Sequence, residues 1–389
     1  MMKNKAHVLM CLLIWMVSLS VSGYESELPN EMQSKMPPPN VNGISWVLMH
    51  PETGTIIAAE NPDEKLEPAS LSKLLTAYIV FREVRRGNVQ LDEEVVISEK
   101  AWRTGGSRMF IEPNEKISVE NLLLGMIVQS GNDAAVALAE HIAGSEESFS
   151  GLMNQVATEL ALKNSNFVNS TGWPHPEHFS TARDISLVAS AIIREFPDMY
   201  GYYAIREFTW NNITQRNRNP LLGRDHTIDG VKTGHTEAAG YCLVGSAKEE
   251  NFRIVATVFG AESPSTRAES VYALVKYGFA AYELHRIYRA GTAVLNDIKI
   301  YKGDQKTLTV GVLADIQLIL PKGARSGLEA VIALDEPIIA PLDKNAQVGS
   351  IILSLQGIDI GTYPLVTLNA INPGSWPSRI FDEIRLQLR

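Results

Sequence analysis

Apolar residues at Leu71, Leu74, Leu75, Tyr78 and Ile79 recur at i, i+3, i+4, i+7 and i+8, the spacing of one buried stripe on an α-helix. Ser70 and Lys73 share a face off that stripe, three residues apart, where side chains touch. Ser72 is adjacent to Lys73 in sequence and points elsewhere, so helical phase selects Ser70 as the serine facing the ammonium. Upstream, ISWVLMHPETGTIIAAEN places two apolar runs around a Pro-Glu-Thr-Gly turn and predicts a hairpin. From Val119 to Ile142 the chain is almost wholly apolar except at Ser130-Gly131-Asn132. That predicts two buried helices broken at a polar island, with Asp133 capping the second. A buried polar break is costly unless its groups find partners.

FSTARDISLVASAIIREFP predicts a further amphipathic helix, and a helix-rich region runs to about residue 208. After it, VKTG reads as a strand, and two β-type runs around Lys-Glu-Glu-Asn read as an antiparallel hairpin. TRAESVYALVKYGFAAYEL closes this part with a helix. Beyond about residue 290 the runs KIYKG, TLTVGVL, DIQLILP, LEAVIAL, SIILSLQG and TYPLVTL are short and β-like, with Gly, Pro and Asp between them. The pattern predicts an α+β domain over 41–287 with a helical middle, then a small all-β domain over 288–375.

The two ends read differently from the body. Lys3 and Lys5 precede an apolar run from Val8 to Val21 and the small residues of SVSGYES, which predicts a signal peptide over 1–23. The run is shorter than the ~20 residues a spanning helix needs, a retained membrane anchor being the alternative. Residues 24–40 are polar and proline-rich and read as a linker. At the other end, SWPSRIFDEIRLQLR gathers Ile380, Phe381, Ile384 and Leu388 on one helical side, with Arg379, Arg385 and Arg389 among the polar residues. A helix over 376–389 then either lies on a membrane surface or docks on its own domain.

Composition narrows the function class. A chain of 389 residues, 45% hydrophobic and 20% charged, suits two globular domains, and a formal net charge of -9 argues against a nucleic-acid partner. Cys11 would leave with the signal, and its place inside the apolar run does not suit a lipoprotein anchor. Cys242 would then be the remaining cysteine, so no intrachain disulfide is expected. His175 and His178 in HPEH read as a surface loop rather than a metal site, because Pro174 and Pro176 oppose the helix that would pair them.

Three polar fragments fall on three predicted elements: Ser70-Leu71-Ser72-Lys73 at a helix start, Ser130-Gly131-Asn132 at a helix break and Lys232-Thr233-Gly234 on a strand. A Ser-x-x-Lys pairing is expected about once by chance in such a chain, whereas Lys-Thr-Gly is much rarer. A serine hydroxyl needs a base within hydrogen-bond reach, and Lys73 serves only when neutral. Burial and a nearby ammonium both disfavour its charge, and Lys232 is the expected second cation.

The fragments, with GGSRMFIEPNEKISVENLLLGMIVQSGNDAAVALAEHIAG, FVNSTGWPHPEHFSTARDI and DGVKTGHTEAAGYCLVGSA, resemble the active-site serine penicillin-recognising enzymes. In particular they resemble the low-molecular-weight penicillin-binding proteins of the D-alanyl-D-alanine carboxypeptidase type, peptidase family S11. SLSK stands where SLTK is usual and STGW where STGL is; neither change removes a catalytic group, so fine specificity is what they put in question. The resemblance implies that Ser70 attacks the carbonyl between two terminal D-alanines, Lys73 takes its proton and Ser130 relays a proton to the leaving amine. It implies that Asn132 binds the substrate backbone, that Lys232 and Thr233 hold the terminal carboxylate, and that Gly234 leaves room for the substrate. The backbone N–H groups of Ser70 and His235 would form the oxyanion hole. Arg218 in QRNRNPLL either helps bind the carboxylate or is an exposed loop arginine.

No cofactor or metal is expected. The expected partners are a peptidoglycan pentapeptide, β-lactams and a membrane surface, at the outer face of the inner membrane in the periplasm, in cell wall biogenesis and cell shape control. A DD-endopeptidase and a non-catalytic penicillin-binding sensor or scaffold are the alternatives. A class A β-lactamase fits less well, since the second fragment is Ser-Gly-Asn rather than Ser-Asp-Asn.

Overall fold

The computed structural model describes residues 27–388; the expected signal peptide lies outside the described residues. The first domain is built on an antiparallel five-stranded sheet: β1 (Ser45–Met49), β2 (Ile56–Glu60), β3 (Ile228–Thr236), β4 (Gly240–Glu249) and β5 (Phe252–Ala261), in the order β2-β1-β5-β4-β3. Strand alternation divides two cores. Val47 and Met49 of β1 join the helical core, while Trp46 and Leu48 join the opposite one, with the helix Pro264–Ala281. The Lys-Thr-Gly strand β3 is the free edge of this sheet.

Inserted between β2 and β3 is the helical part. Helix α1 (Lys73–Arg86) is preceded by a 3₁₀ turn over Ala69–Ser72 and ended by Gly87, whose φ of 75° is the left-handed C-cap that glycine adopts freely. Leu71, Leu74, Leu75 and Ile79 are fully buried, as the stripe required. At about 1.5–3 kcal/mol per buried aliphatic side chain, that stripe holds the serine-bearing turn by several kcal/mol. Helices α2 (Val119–Val128) and α3 (Asn132–Ala143) flank the polar island, and α4 (Glu146–Glu159) and α5 (Ala182–Glu195) complete the bundle.

Two sequence expectations change here. Gly131, not Asp133, is the N-cap of α3. The Asp133 carboxylate instead accepts from the backbone N–H of Met109 at 2.9 Å and of Phe110 at 3.0 Å, tying a separate loop to the helix start. The stretch read as a linker is in its described part a piece of the fold: Leu28 and Met32 are buried and the Leu28 N–H donates to Ile56 O at 3.1 Å.

The second domain is all-β as expected. A five-stranded antiparallel sheet contains Ala293–Lys299, Thr307–Gly311, Leu328–Leu334, Gln347–Leu355 and Ile358–Thr367, while Tyr282–Tyr288 pairs with Ile316–Pro321. KIYKG, expected as a strand, largely follows one. Helix α6 (Trp376–Gln387) buries no residue. Its acidic side holds it to the domain: Asp382 Oδ2 accepts from the Lys302 N–H at 2.6 Å and Glu383 pairs with the Lys302 ammonium. Its apolar side faces outward, with Trp376 74% and Leu388 83% exposed. Among the described residues no helix is long and apolar enough to cross a membrane.

Candidate active site

Ser70 sits on the 3₁₀ turn just ahead of α1, and the i,i+3 relation brings Lys73 Nζ to 3.0 Å from its Oγ. Lys73 is buried and donates also to Asn132 Oδ1 at 2.6 Å and to the carbonyl of Thr171 at 2.7 Å. Burial, and then the Arg218 guanidinium, bring its ammonium down to about 7, against a smaller opposing pull from Asp133. Arg218 is thus a further cation acting on Lys73, beside the expected Lys232, whose interaction with Lys73 is felt as a lowering at Lys232. A buried amine aimed at a hydroxyl and half neutral near pH 7 meets the requirement for a base.

The polar island is satisfied piece by piece. The Gly131 N–H donates to Gly125 O at 3.1 Å, the Asn132 N–H to Ser107 O at 2.7 Å, and Asn132 Nδ2 to Gly105 O at 2.7 Å. Ser130 is the exception: its Oγ is buried with no partner, on a backbone with φ of 65°. That left-handed conformation costs a non-glycine residue roughly 1–2 kcal/mol. Ala69, beside Ser70, has φ of 47°. Strain thus stands at the residue before the candidate nucleophile and at the serine of the second fragment.

On β3, Lys232 and Thr233 are buried, and Lys232 Nζ donates to Thr233 O at 3.1 Å. Burial, then the charges of Lys73, Arg218 and Arg267, hold the Lys232 ammonium well below its ordinary range. At Gly234 a Cβ would lie 3.1 Å from Pro68 O and 3.3 Å from Ala69 Cβ. Its missing side chain makes room for the serine turn. His235 is exposed and stacks on Tyr241, with centroids 4.1 Å apart. Arg218 reaches over from its loop, Nε donating to Gln129 O at 3.0 Å, directly before Ser130.

Arg267 was missed by the sequence reading. Buried on the helix behind β3, it donates to Gly234 O at 3.0 Å and Cys242 O at 3.3 Å. Its only signal was an arginine in the first turn of a helix packed on the sheet. Lys232, Arg218 and Arg267 have no carboxylate partner among the described residues, so basic side chains gather beside Ser70 within an acidic chain.

His178 corrects the surface-loop reading of HPEH, for it is buried. The Val168 N–H donates to its Nδ1 at 3.2 Å, which assigns the ring proton to Nε2; that donates to Ser72 Oγ at 2.8 Å, and Ser72 in turn to Ala69 O at 2.9 Å. The loop carrying it crosses the serine turn closely: a Cβ on Gly172 would sit 1.7 Å from Ala69 O. Cys242 is free and buried, and burial first of all raises its thiol to about 12. Among the described residues no group of His, Cys, Asp or Glu could hold a metal ion.

Two family models match: D-alanyl-D-alanine carboxypeptidase over residues 31–263, and penicillin-binding protein 5, C-terminal domain, over residues 282–373. The chain is 36% identical over 357 residues to the D-alanyl-D-alanine carboxypeptidase DacC of Escherichia coli (strain K12), covering 90% of this chain and 89% of the relative. It is 36% identical over 379 residues to DacA of Haemophilus influenzae, covering 96% and 95%. Penicillin-binding protein 5 from Haemophilus influenzae superposes with a TM-score of 0.83 at 37% identity, over 87% of this chain and 99% of that one. Penicillin-binding protein D2 from Listeria monocytogenes, solved in an ampicillin-bound form, matches with a TM-score of 0.58 at 28% identity, over 62% of this chain and 100% of that one.

Proposed function

The chain belongs to the D-alanyl-D-alanine carboxypeptidase family, peptidase family S11, and we propose from its side chains how it works. It is a serine-type hydrolase that removes the terminal D-alanine from peptidoglycan pentapeptides and is acylated by β-lactams. Ser70 Oγ attacks the carbonyl between the two D-alanines as Lys73 Nζ, 3.0 Å away, takes its proton. The backbone N–H groups of Ser70 and His235 receive the oxyanion. Ser130 Oγ, with no partner of its own, relays a proton to the departing amine. Lys232, Thr233 and Arg218 hold the free carboxylate, while Asn132 Nδ2 keeps one proton for the substrate backbone beside its bond to Gly105 O. Water then hydrolyses the ester on Ser70.

One observation carries this reading: a buried lysine with its amine brought to about 7 touches the hydroxyl of a strained serine turn. The test is incubation with a D-Ala-D-Ala pentapeptide and with a fluorescent penicillin. The native protein releases D-alanine and is labelled, and Ser70→Ala does neither. Labelling without release would instead make the protein a penicillin-binding sensor.

The outward apolar side of α6 supports peripheral attachment to the outer face of the inner membrane. From that position the enzyme trims the wall and so contributes to cell shape. Ending the chain before Trp376 then frees the protein from sedimented membranes with unchanged turnover of a soluble peptide; continued sedimentation would refute the attachment.

A further inference from the structure

We propose that Trp173 sets substrate specificity, as an apolar wall that takes the long side chain of the residue preceding the D-Ala-D-Ala pair. The inference rests on the carboxypeptidase reading above and adds the part of the substrate that the catalytic residues do not reach.

Trp173 directly follows two buried residues that touch the machinery. Thr171 O accepts from Lys73 Nζ at 2.7 Å, and Gly172 is pressed against the carbonyl of Ala69, next to Ser70. The indole nevertheless is 53% exposed. Its backbone is fixed: the N–H donates to Asn169 Oδ1 at 2.9 Å and to Thr171 Oγ1 at 3.1 Å, and the carbonyl accepts from Asn169 Nδ2 at 2.9 Å. A large apolar surface held rigidly at a cleft mouth loses little freedom when it is covered, which is why such rings serve as contact platforms.

The ring lies along a strip of bare backbone. A Cβ on Gly105 would stand 3.6 Å from its Cη2, and one on Gly106 would stand 3.2 Å from its Cζ3 and 2.7 Å from Asn132 Nδ2. The indole and the Asn132 amide therefore border the same two glycines. This fixes the direction of the substrate. In the reading above Lys232, Thr233 and Arg218 take the free carboxylate, and Asn132 takes the backbone amide on the acyl side. A peptide with its carboxylate on the cations and its acyl amide on Asn132 carries its next side chain toward Trp173. Several methylenes reach and cover the indole face; a methyl group does not.

The test compares Nα,Nε-diacetyl-L-Lys-D-Ala-D-Ala with Nα-acetyl-L-Ala-D-Ala-D-Ala as substrates of the full chain. Trp173→Ala should lower kcat/KM for the lysine peptide about tenfold or more and for the alanine peptide less than about threefold, with Trp173→Phe retaining most of the preference. Thermal unfolding of each variant separates loss of fold from loss of contact. Equal losses on both peptides, or none, would overturn the proposal. Should the native protein release D-alanine from neither peptide, the carboxypeptidase reading fails on its own. Acylation rates for benzylpenicillin, which bears an aromatic acyl group, against 6-aminopenicillanic acid, which bears none, then decide. A loss selective for benzylpenicillin supports the wall and an equal loss overturns it.

Discussion

Lys73 must be neutral to accept the Ser70 proton, so the acylation rate reports its protonation state directly. Bringing an amine from 10.5 to about 7 raises its neutral fraction at pH 7 from about one in three thousand to about one half, and corresponds to about 5 kcal/mol against the charged form. Below that value the lysine is protonated and idle, and above it the lysine is free to act. The acylation rate constant, measured with a chromogenic β-lactam from pH 5 to 9, should therefore climb with pH through an acid limb centred near 7. Arg218 is the second cause of the lowering, after burial. Arg218→Met should move the acid limb upward, by less than the part that burial keeps. Lys73→Arg, which stays charged, should abolish acylation while leaving the fold intact. An acid limb near that of a free lysine, or an Arg218→Met limb that moves down, would refute the assignment of Lys73 as base.

Two further predictions test the loop that presses on the serine turn and the two buried histidines, His178 at that turn and His50 against Thr53 and Phe252. Gly172→Ala combines a 1.7 Å contact with Ala69 O and a backbone φ of 82°, and should cost about 3 kcal/mol or more of stability together with most of the acylation rate; a native denaturation midpoint would show that the loop does not press on the turn. His178 and His50 are each lowered from 6.5 to about 4, chiefly by burial. The unfolded chain thus binds their protons first as pH falls. Their contribution is full above pH 6.5 and is lost between there and about 4, by about 3 kcal/mol each. Urea midpoints at pH 7.5, 5.5 and 4.5 should fall accordingly, and a flat series would refute the buried neutral rings.

How much of this was legible depended on how local each cause is. The Ser70–Lys73 contact follows from helical phase alone, and it could be read because i,i+3 neighbours meet in any helix. The partners that hold Lys73, Thr171 O and Asn132 Oδ1, come from residues 98 and 59 positions away, and no periodicity announces them. Asp133 failed as a cap for a related reason. An acid near a helix start serves equally to tie down a neighbouring loop, and only the position of Met109 and Phe110 decides. Arg267 was illegible because its acceptors are carbonyls on two strands, and backbone carbonyls carry no sequence signature. His178 was misread since its prolines describe the local chain correctly but say nothing of the turn beneath it. In the β domain most strands were visible as short apolar runs set apart by Gly, Pro and Asp. The strand Ala293–Lys299 was missed because it buries no residue, whereas its neighbour Thr307–Gly311 buries Leu308 and Val310.

The arrangement of charge couples binding to catalysis in one further step. Lys73 and Lys232 are both held below their ordinary values, and the charge of Lys73 is among the causes at Lys232. Interacting amines titrate as a pair, so a proton favoured on one is disfavoured on the other. A carboxylate arriving beside Lys232 stabilises the charge there, and so biases the shared proton away from Lys73, where a neutral amine is needed. The terminal carboxylate of the peptide is then more than a handle, because it supplies the missing counter-charge that sets the two lysines in opposite states. This favours substrates whose scissile bond is followed by a single residue with a free carboxylate, which is the geometry of a carboxypeptidase rather than of an enzyme cutting within a chain.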